Sequence, residues 1–193
     1  MDKRTLVASR KAGVDLGFSA EEKEKLRGLA LEAIRYRCLG QTMPENEVNE
    51  PLLNAPGAAF VSIRKGGQLR GCIGLLQPQA PLWQMVRRMA IEAAFCDPRF
   101  CAIASEELDQ LDIEISVLTP LVRISKISEI EIGKHGLLIS KGVRSGLLLP
   151  QVATEHNLDV EGFLQLTCQK AGLPPHAWKD RQAELYIFSA DVF

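Results

Sequence analysis

The chain has 193 residues, a formal net charge of −1 and 46% apolar residues, which is enough for one substantial core, or for a core with a smaller lobe attached. The near-neutral charge and scattered basic residues lack the electrostatic footprint of a dedicated nucleic-acid binder, and no apolar run is as long as a bilayer span. The five cysteines are odd in number and irregularly spaced, which points to reduced thiols in a cytoplasm rather than a secreted disulfide framework.

Residues 1–17, MDKRTLVASRKAGVDLG, have no apolar stretch long enough for a secretory signal and read as a partly ordered tail before a single domain over 18–193. S-A-E-E at 19–22 is a capping box, and Leu26, Leu29, Ala30, Ala33, Ile34 and Cys38 follow at helical spacing, with Gly40 as the stop. Residues 41–57, with three prolines, read as a long loop. In AAFVSIRKGGQLRGCIGLL, two β-rich runs flank Gly66-Gly67, the pattern of a tight hairpin. Gly71 and Gly74 on the return strand predict a bulge or a close backbone approach.

Pro81 opens a helix running to about Cys96, with an apolar stripe of Leu82, Val86, Met89, Ala90 and Ala93 reaching toward Cys96, and Asp97-Pro98 ends it. Trp83, Met85 and Met89 read as helix packing. LDIEISVL (111–118) alternates Leu111, Ile113, Ile115 and Val117 with polar residues, as a strand with one wet face does. Two short runs punctuated by Gly133, Gly136, Gly142 and Gly146 follow, then a short helix from Pro150. A second helix, capped by Asp159, ends at Gly172. AELYIFSADVF closes the chain as a final strand. Hairpins mixed irregularly with helices, without repeating βαβ units, predict an α+β fold on an antiparallel sheet.

The chemistry-bearing residues are few. Cys72 lies between two glycines, two positions after Arg70, and on a regular strand the two side chains share a face about 6–7 Å apart at the backbone. A cation at that position favours a thiolate and makes Cys72 a candidate nucleophile; a small buried hydrophobe beside a tight hairpin is the other reading. Arg70, Arg99, Lys141 and Arg144 are candidate anion binders, the last two because charge and adjacent glycine backbone suit phosphate or carboxylate. Asp97 and Arg99 flank Pro98 and read as partners of each other or of nearby helix ends. Glu155 is a weak candidate general base, and His135, in GKHG, a candidate proton shuttle or exposed turn residue. The close pair Cys96 and Cys101 has no second pair at zinc-knuckle spacing, so no metal or cofactor is expected.

Five blocks in order, LRGCIG (69–74), DPRF (97–100), IEISVLTP (113–120), GLLLPQVATE (146–155) and KAGLP (170–174), together resemble the AMMECR family, whose bacterial and archaeal members are often called AmmeMemoRadiSam system protein A. The resemblance runs from about residue 20 to the end. It implies a larger lobe built on an antiparallel sheet with flanking helices, a smaller lobe, and LRGCIG near a groove between them. Leu69, Arg70, Gly71, Cys72, Ile73 and Gly74 match the family's signature. Cys101-Ala102 stands where the family commonly has proline after DPRF, and His156-Asn157-Leu158 where it commonly has tryptophan.

No activity is firmly established for the family, and its gene company implies Memo-type and radical-SAM partner proteins. The combined expectation is a cytoplasmic binding or accessory subunit whose groove includes Arg70, Gly71, Gly74, Arg99, His135, Lys141 and Arg144. A small anionic ligand is compatible with that surface; nucleic acid and membrane are not expected. The alternative is an enzyme using Cys72 as nucleophile or redox thiol on a small anionic or peptide substrate.

Overall fold

A computed structural model describes residues 12–44 and 48–193; residues 1–11 of the expected tail and 45–47 of the expected loop lie outside the described residues. The fold is α+β and divides into two compact units, one of Asp15–Pro120 with Asp191–Phe193, the other of Leu121–Ala190 with residues 12–14. The second unit thus interrupts the first in sequence.

In the first unit, helix α1 (Ala20–Cys38) starts at the expected capping box. The Glu22 N–H donates to Ser19 Oγ (3.1 Å) and the Ser19 N–H to the Glu22 carboxylate (2.8 Å). Its Leu26, Leu29, Ala30, Ala33 and Ile34 are buried, and Gly40 follows at φ +64°. The segment after it holds one short helix, α2 (Pro51–Asn54), where the prolines predict only loop. Pro51 occupies a first-turn position, where its missing N–H costs no helical hydrogen bond.

Strands β1 (Ala58–Lys65) and β2 (Gln68–Gly74) form the expected hairpin. Both turn glycines have positive φ, +57° and +78°, as a tight hairpin connection matched to strand twist requires. Helix α3 (Leu82–Phe95) buries Leu82, Met85, Val86, Met89, Ala90, Ala93 and Ala94; Cys96, at the end of the expected stripe, is exposed because the helix has stopped. Strand β3 (Leu111–Leu118) and strand β8 (Ala190–Val192) complete a sheet of order β2-β1-β3-β8.

Ala59, Val61 and Ile63 pair with Val117, Ile115 and Ile113, and these six side chains form one face of the unit's core together with α1 and α3. Filling it removes several large aliphatic side chains from water, at about 1.5–3 kcal/mol each. The opposite face is drier than the alternation in LDIEISVL predicts: Ser62, Ser116 and Leu118 are buried there, while Asp112 is exposed.

The second unit has its own sheet, of β4 (Val122–Ile124), β5 (Gly136–Lys141), β6 (Arg144–Leu148) and β7 (Glu184–Phe188), in the order β4-β7-β5-β6. Helices α4 (Pro150–Glu155) and α5 (Val160–Lys170) accompany it. Asp159 caps α5 by accepting the Gly162 N–H at 2.8 Å, and Gly172 follows the helix at φ +67°. Leu137, Ala153, Phe163 and Leu164 form one buried cluster, and Ile139, Cys168 and Ala171 another.

The expected final strand is two strands in two sheets, since β7 ends at Phe188 and β8 begins at Ala190. Asp191 anchors the second piece in the first unit. It accepts the Leu16 N–H (3.1 Å) and pairs with Lys23 (2.9 Å).

Candidate functional site

The sequence-derived candidates fall into two groups. Arg70, Gly71, Cys72, Gly74 and Arg99 lie in the first unit; His135, Lys141, Arg144 and Glu155 lie in the second.

Cys72 sits on β2, an edge strand, opposite Ser62 of β1. Its backbone is gripped from the open edge by the DPRF turn. Asp97 accepts the Cys72 N–H at 2.9 Å, and Arg99 Nη2 donates to the Cys72 carbonyl at 3.2 Å. Both backbone groups therefore point away from β1, making Ser62–Cys72 a non-hydrogen-bonded pair, the kind in which side chains approach most closely. Accordingly, the Ser62 hydroxyl donates to the Cys72 sulfur at 3.3 Å. A turn clamped to an edge strand also blocks that stretch from pairing with another chain.

The turn is rigid for a reason visible in its own sequence. Asp97, 5% exposed, accepts Arg99 Nε (2.9 Å), Nη2 (2.7 Å) and backbone N–H (3.1 Å). The Arg99 guanidinium, followed by the Cys72 and Arg99 N–H groups, holds the Asp97 carboxyl well below the usual carboxylate range, against the opposing effect of burial. Asp97 in turn raises the pKa of Arg99, with a smaller contribution from the nearby Cys72 side chain. The Arg99 side chain is half exposed, and its Nη1 makes no hydrogen bond among the described residues.

Arg70 does not share this site, contrary to the regular-strand expectation. The β1–β2 register slips between Ile63 and Arg64, so that Ile63 faces Gly71 and Arg64 faces Leu69, leaving Arg70 as the bulged residue. Its guanidinium turns to Glu107, to which Nε and Nη2 donate at 3.2 and 3.0 Å, and to the carbonyls of Cys101 (2.7 Å) and Ala102 (3.2 Å). Arg70, the Ala104 N–H and Lys65 together lower the Glu107 pKa to about 2. Arg70 thus ties the bulge to the segment after the DPRF turn, and the cation beside Cys72 is Arg99.

The two glycines of LRGCIG have separate packing causes. A Cβ on Gly71 would lie 2.1 Å from the Ala93 carbonyl oxygen of α3, and one on Gly74 would lie 2.2 Å from the Phe60 ring. One lets the helix backbone meet the strand; the other lets an aromatic ring lie across it.

In the second unit, Lys141 pairs with Asp180 (2.6 Å), and Arg144 donates to the Gly172 carbonyl (2.7 Å). His135 is half buried, which pushes its imidazole pKa down, and its Nδ1 accepts the Glu131 N–H at 3.1 Å. Glu155 is the exposed last residue of α4. Asp97 and Glu107 are the residues whose importance the sequence understated. Asp97 is held ionised first by its neighbour Arg99, but its bond to the Cys72 N–H spans 25 positions and the Glu107–Arg70 pair spans 37, which no local pattern records. Among the described residues there is no cluster of three or more His, Cys, Asp or Glu able to hold a metal ion, and no helix long and apolar enough to cross a membrane.

An α+β chain whose LRGCIG edge strand is clamped by a DPRF turn defines a class of protein by its fold and motifs. The family model described as AMMECR1 matches residues 27–193, and the chain belongs to that family. It is 39% identical over 175 residues to Protein NEQ441 of Nanoarchaeum equitans, covering 87% of this chain and 97% of that one. A Thermococcus gammatolerans protein is 48% identical over 181 residues, 88% of each chain. The crystal structure of uncharacterized protein PH0010 from Pyrococcus horikoshii matches with a TM-score of 0.82 at 39% identity, covering 88% of this chain and 89% of that one.

Proposed function

We propose that this AMMECR1-family chain is a binding or accessory subunit, acting with Memo-type and radical-SAM proteins, and that Arg99 is its principal recognition residue. One observation carries the reading. A buried carboxylate, Asp97, fixes a half-exposed guanidinium that lies over the Phe100 ring at 5.4 Å and whose Nη1 makes no hydrogen bond among the described residues. An arginine oriented before it meets its ligand loses little freedom on binding a carboxylate or phosphate, which suits a small anion or an acidic group on a partner. The polar residues around Cys72 support the same reading, because Arg70 and Glu107 are spent on each other and the hydroxyl donating to the thiol comes from Ser62 rather than from a base.

The test is capture of a Memo-type partner by the tagged full chain. Arg99→Lys keeps the charge and removes the fork, and is expected to weaken capture about tenfold; Cys72→Ser is expected to leave it unchanged. Undiminished capture by Arg99→Lys overturns the assignment.

A second reading has its own observation: Arg99, bonded to the Cys72 carbonyl at 3.2 Å, is a cation close to the thiol. In that reading Cys72 is a nucleophile or redox thiol for a small anionic or peptide substrate. Its mark is alkylation of Cys72 in the native chain that stays fast below the ordinary thiol pKa of about 8.5. Labelling only on unfolding excludes it.

A further inference from the structure

The outward face of α3 borders an open groove of about 470 Å³, lined by Met43, Trp83, Arg87, Arg88, Ile91 and Glu92 among others. The α3 residues in that lining recur one helical turn apart, so the groove follows the helix from Trp83 to Glu92, a length of about 13 Å. Trp83 packs against the core of the first unit, as its place in the helix predicts, and its Nε1 donates to Asn54 Oδ1 at 3.3 Å. The Arg87 guanidinium lies over the indole, 5.3 Å from the ring centroid.

The hydrogen bonds of the two groove arginines go to neutral acceptors. Arg88 Nη1 donates to Gln79 Oε1 at 3.0 Å, and Arg87 Nη2 to the Pro44 carbonyl at 3.5 Å. Neither forms an ion pair among the described residues. In this they differ from Arg70 and Arg99, whose charges are met by Glu107 and Asp97. Two neighbouring guanidiniums and a single carboxylate, Glu92, leave the groove with excess positive charge, set between the apolar side chains of Met43 and Ile91.

We propose that this groove is a docking surface for an acidic, amphipathic helical segment of a partner protein. A helix laid along α3 presents apolar side chains to Met43 and Ile91 and carboxylates to Arg87 and Arg88 from positions three and four apart. Stacking on the indole orients Arg87 in advance and leaves its N–H edges for a carboxylate. Tryptophan and arginine are also the residue types that most often anchor protein interfaces. The volume lies within the about 300–1,000 Å³ of ligand pockets, but a small molecule in so open a groove would keep much of its surface in water. Nucleic acid matches the charge and leaves Met43 and Ile91 without apolar partners, and the indole that could stack a base is already taken up by Arg87 and the core. The proposal does not rest on the role of Arg99.

The experiment selects a phage library of random peptides of about 16 residues, long enough for about four helical turns, on the immobilised full chain. The expected enriched peptides are rich in Asp and Glu, with large apolar residues three and four positions apart. A synthetic peptide of the enriched sequence is expected to bind about tenfold or more weaker to the Arg87→Ala, Arg88→Ala double variant, and unchanged to Arg99→Lys. Alanine is a strong helix former, so the double variant keeps α3, which circular dichroism checks. In the unsubstituted chain, the same peptide is expected to shift the indole N–H resonance of Trp83 and leave that of Trp178 in place. No enrichment, enrichment of peptides without acidic residues, full binding by the double variant, or an unmoved Trp83 resonance overturns the proposal. Peptide binding lost only in Arg99→Lys also overturns it, while leaving the assignment of Arg99 standing. Binding of oligothymidylate that is lost in the double variant would place nucleic acid in the groove instead.

Discussion

Gly71 and Gly28 make opposite demands on the same substitution. Gly71 lies where β2 meets α3, and an added methyl group would be 2.1 Å from a backbone oxygen that cannot swing aside. Gly71→Ala is expected to lower stability by about 1–3 kcal/mol, the usual cost of overpacking, or more. Gly28 lies on the exposed side of α1, where an added methyl group would have no atom within 4 Å and the backbone is ordinary helix. Gly28→Ala is expected to stabilise by about 0.5–1 kcal/mol, because alanine loses less backbone freedom on forming helix. Urea unfolding of both variants checks the pair. Equal effects would mean that the strand–helix approach at Gly71 is looser than its contacts imply.

At the scale of the element, β2 is an edge strand held by two ionised carboxylates, and this gives it an acid limit. Glu107 has its pKa lowered from 4.5 to about 2, first by Arg70, so its contribution to stability is complete above about pH 4.5 and lost as pH falls toward 2. Asp97 is held lower still, and its contribution disappears at more acid pH. Glu107→Gln is therefore expected to be less stable than the natural chain by on the order of 2 kcal/mol at pH 7, after allowance for solvent screening, with the difference closing toward pH 2. Urea midpoints at several pH values test this, and a difference that stays constant from pH 7 to pH 2 would rule out titration of Glu107 as the source.

The same strand shows where sequence reading reaches its limit. Ser19, Gly66-Gly67, the alternation of 111–118 and the Asp159 cap are local signals, and each marks its element in the structure. Of the bulge or close approach that the glycines of LRGCIG predict, Gly71 marks a close backbone approach to α3, Gly74 makes room for the Phe60 ring, and the bulge falls on Arg70. Which residue the bulge ejects depends on pairing with β1, so the spacing of Arg70 and Cys72 suggested a shared face that the register denies. The pairing of Asp97 with Arg99 is legible because the residues are neighbours. That the pair closes on the peptide of Cys72 is a tertiary fact, as is the bond from Arg70 to Glu107.

Across the whole molecule, the first unit is finished only by the last residues of the chain. β3 and β8 are separated in sequence by most of the second unit, yet Ile115 and Phe193 exchange two backbone hydrogen bonds, at 2.7 and 3.0 Å. AELYIFSADVF reads as one strand because its β-forming residues run nearly unbroken, and only the destinations of its two halves separate them. Asp191 bonds Leu16 and Lys23, and the Phe193 ring lies beside Phe18 with Lys23 and Arg27 over it. Removing residues 191–193 takes away all of these contacts and leaves Ala190, which accepts the Val14 N–H in the second unit. The Ile115 amide should then exchange with solvent at least tenfold faster, while the amides of β5 keep their rates, since local opening reports the unit in which bonds were lost. Hydrogen exchange resolved by residue measures both. Equal acceleration in β5 would mean that the two units open together, and an unchanged Ile115 would mean that the first sheet holds without its last strand.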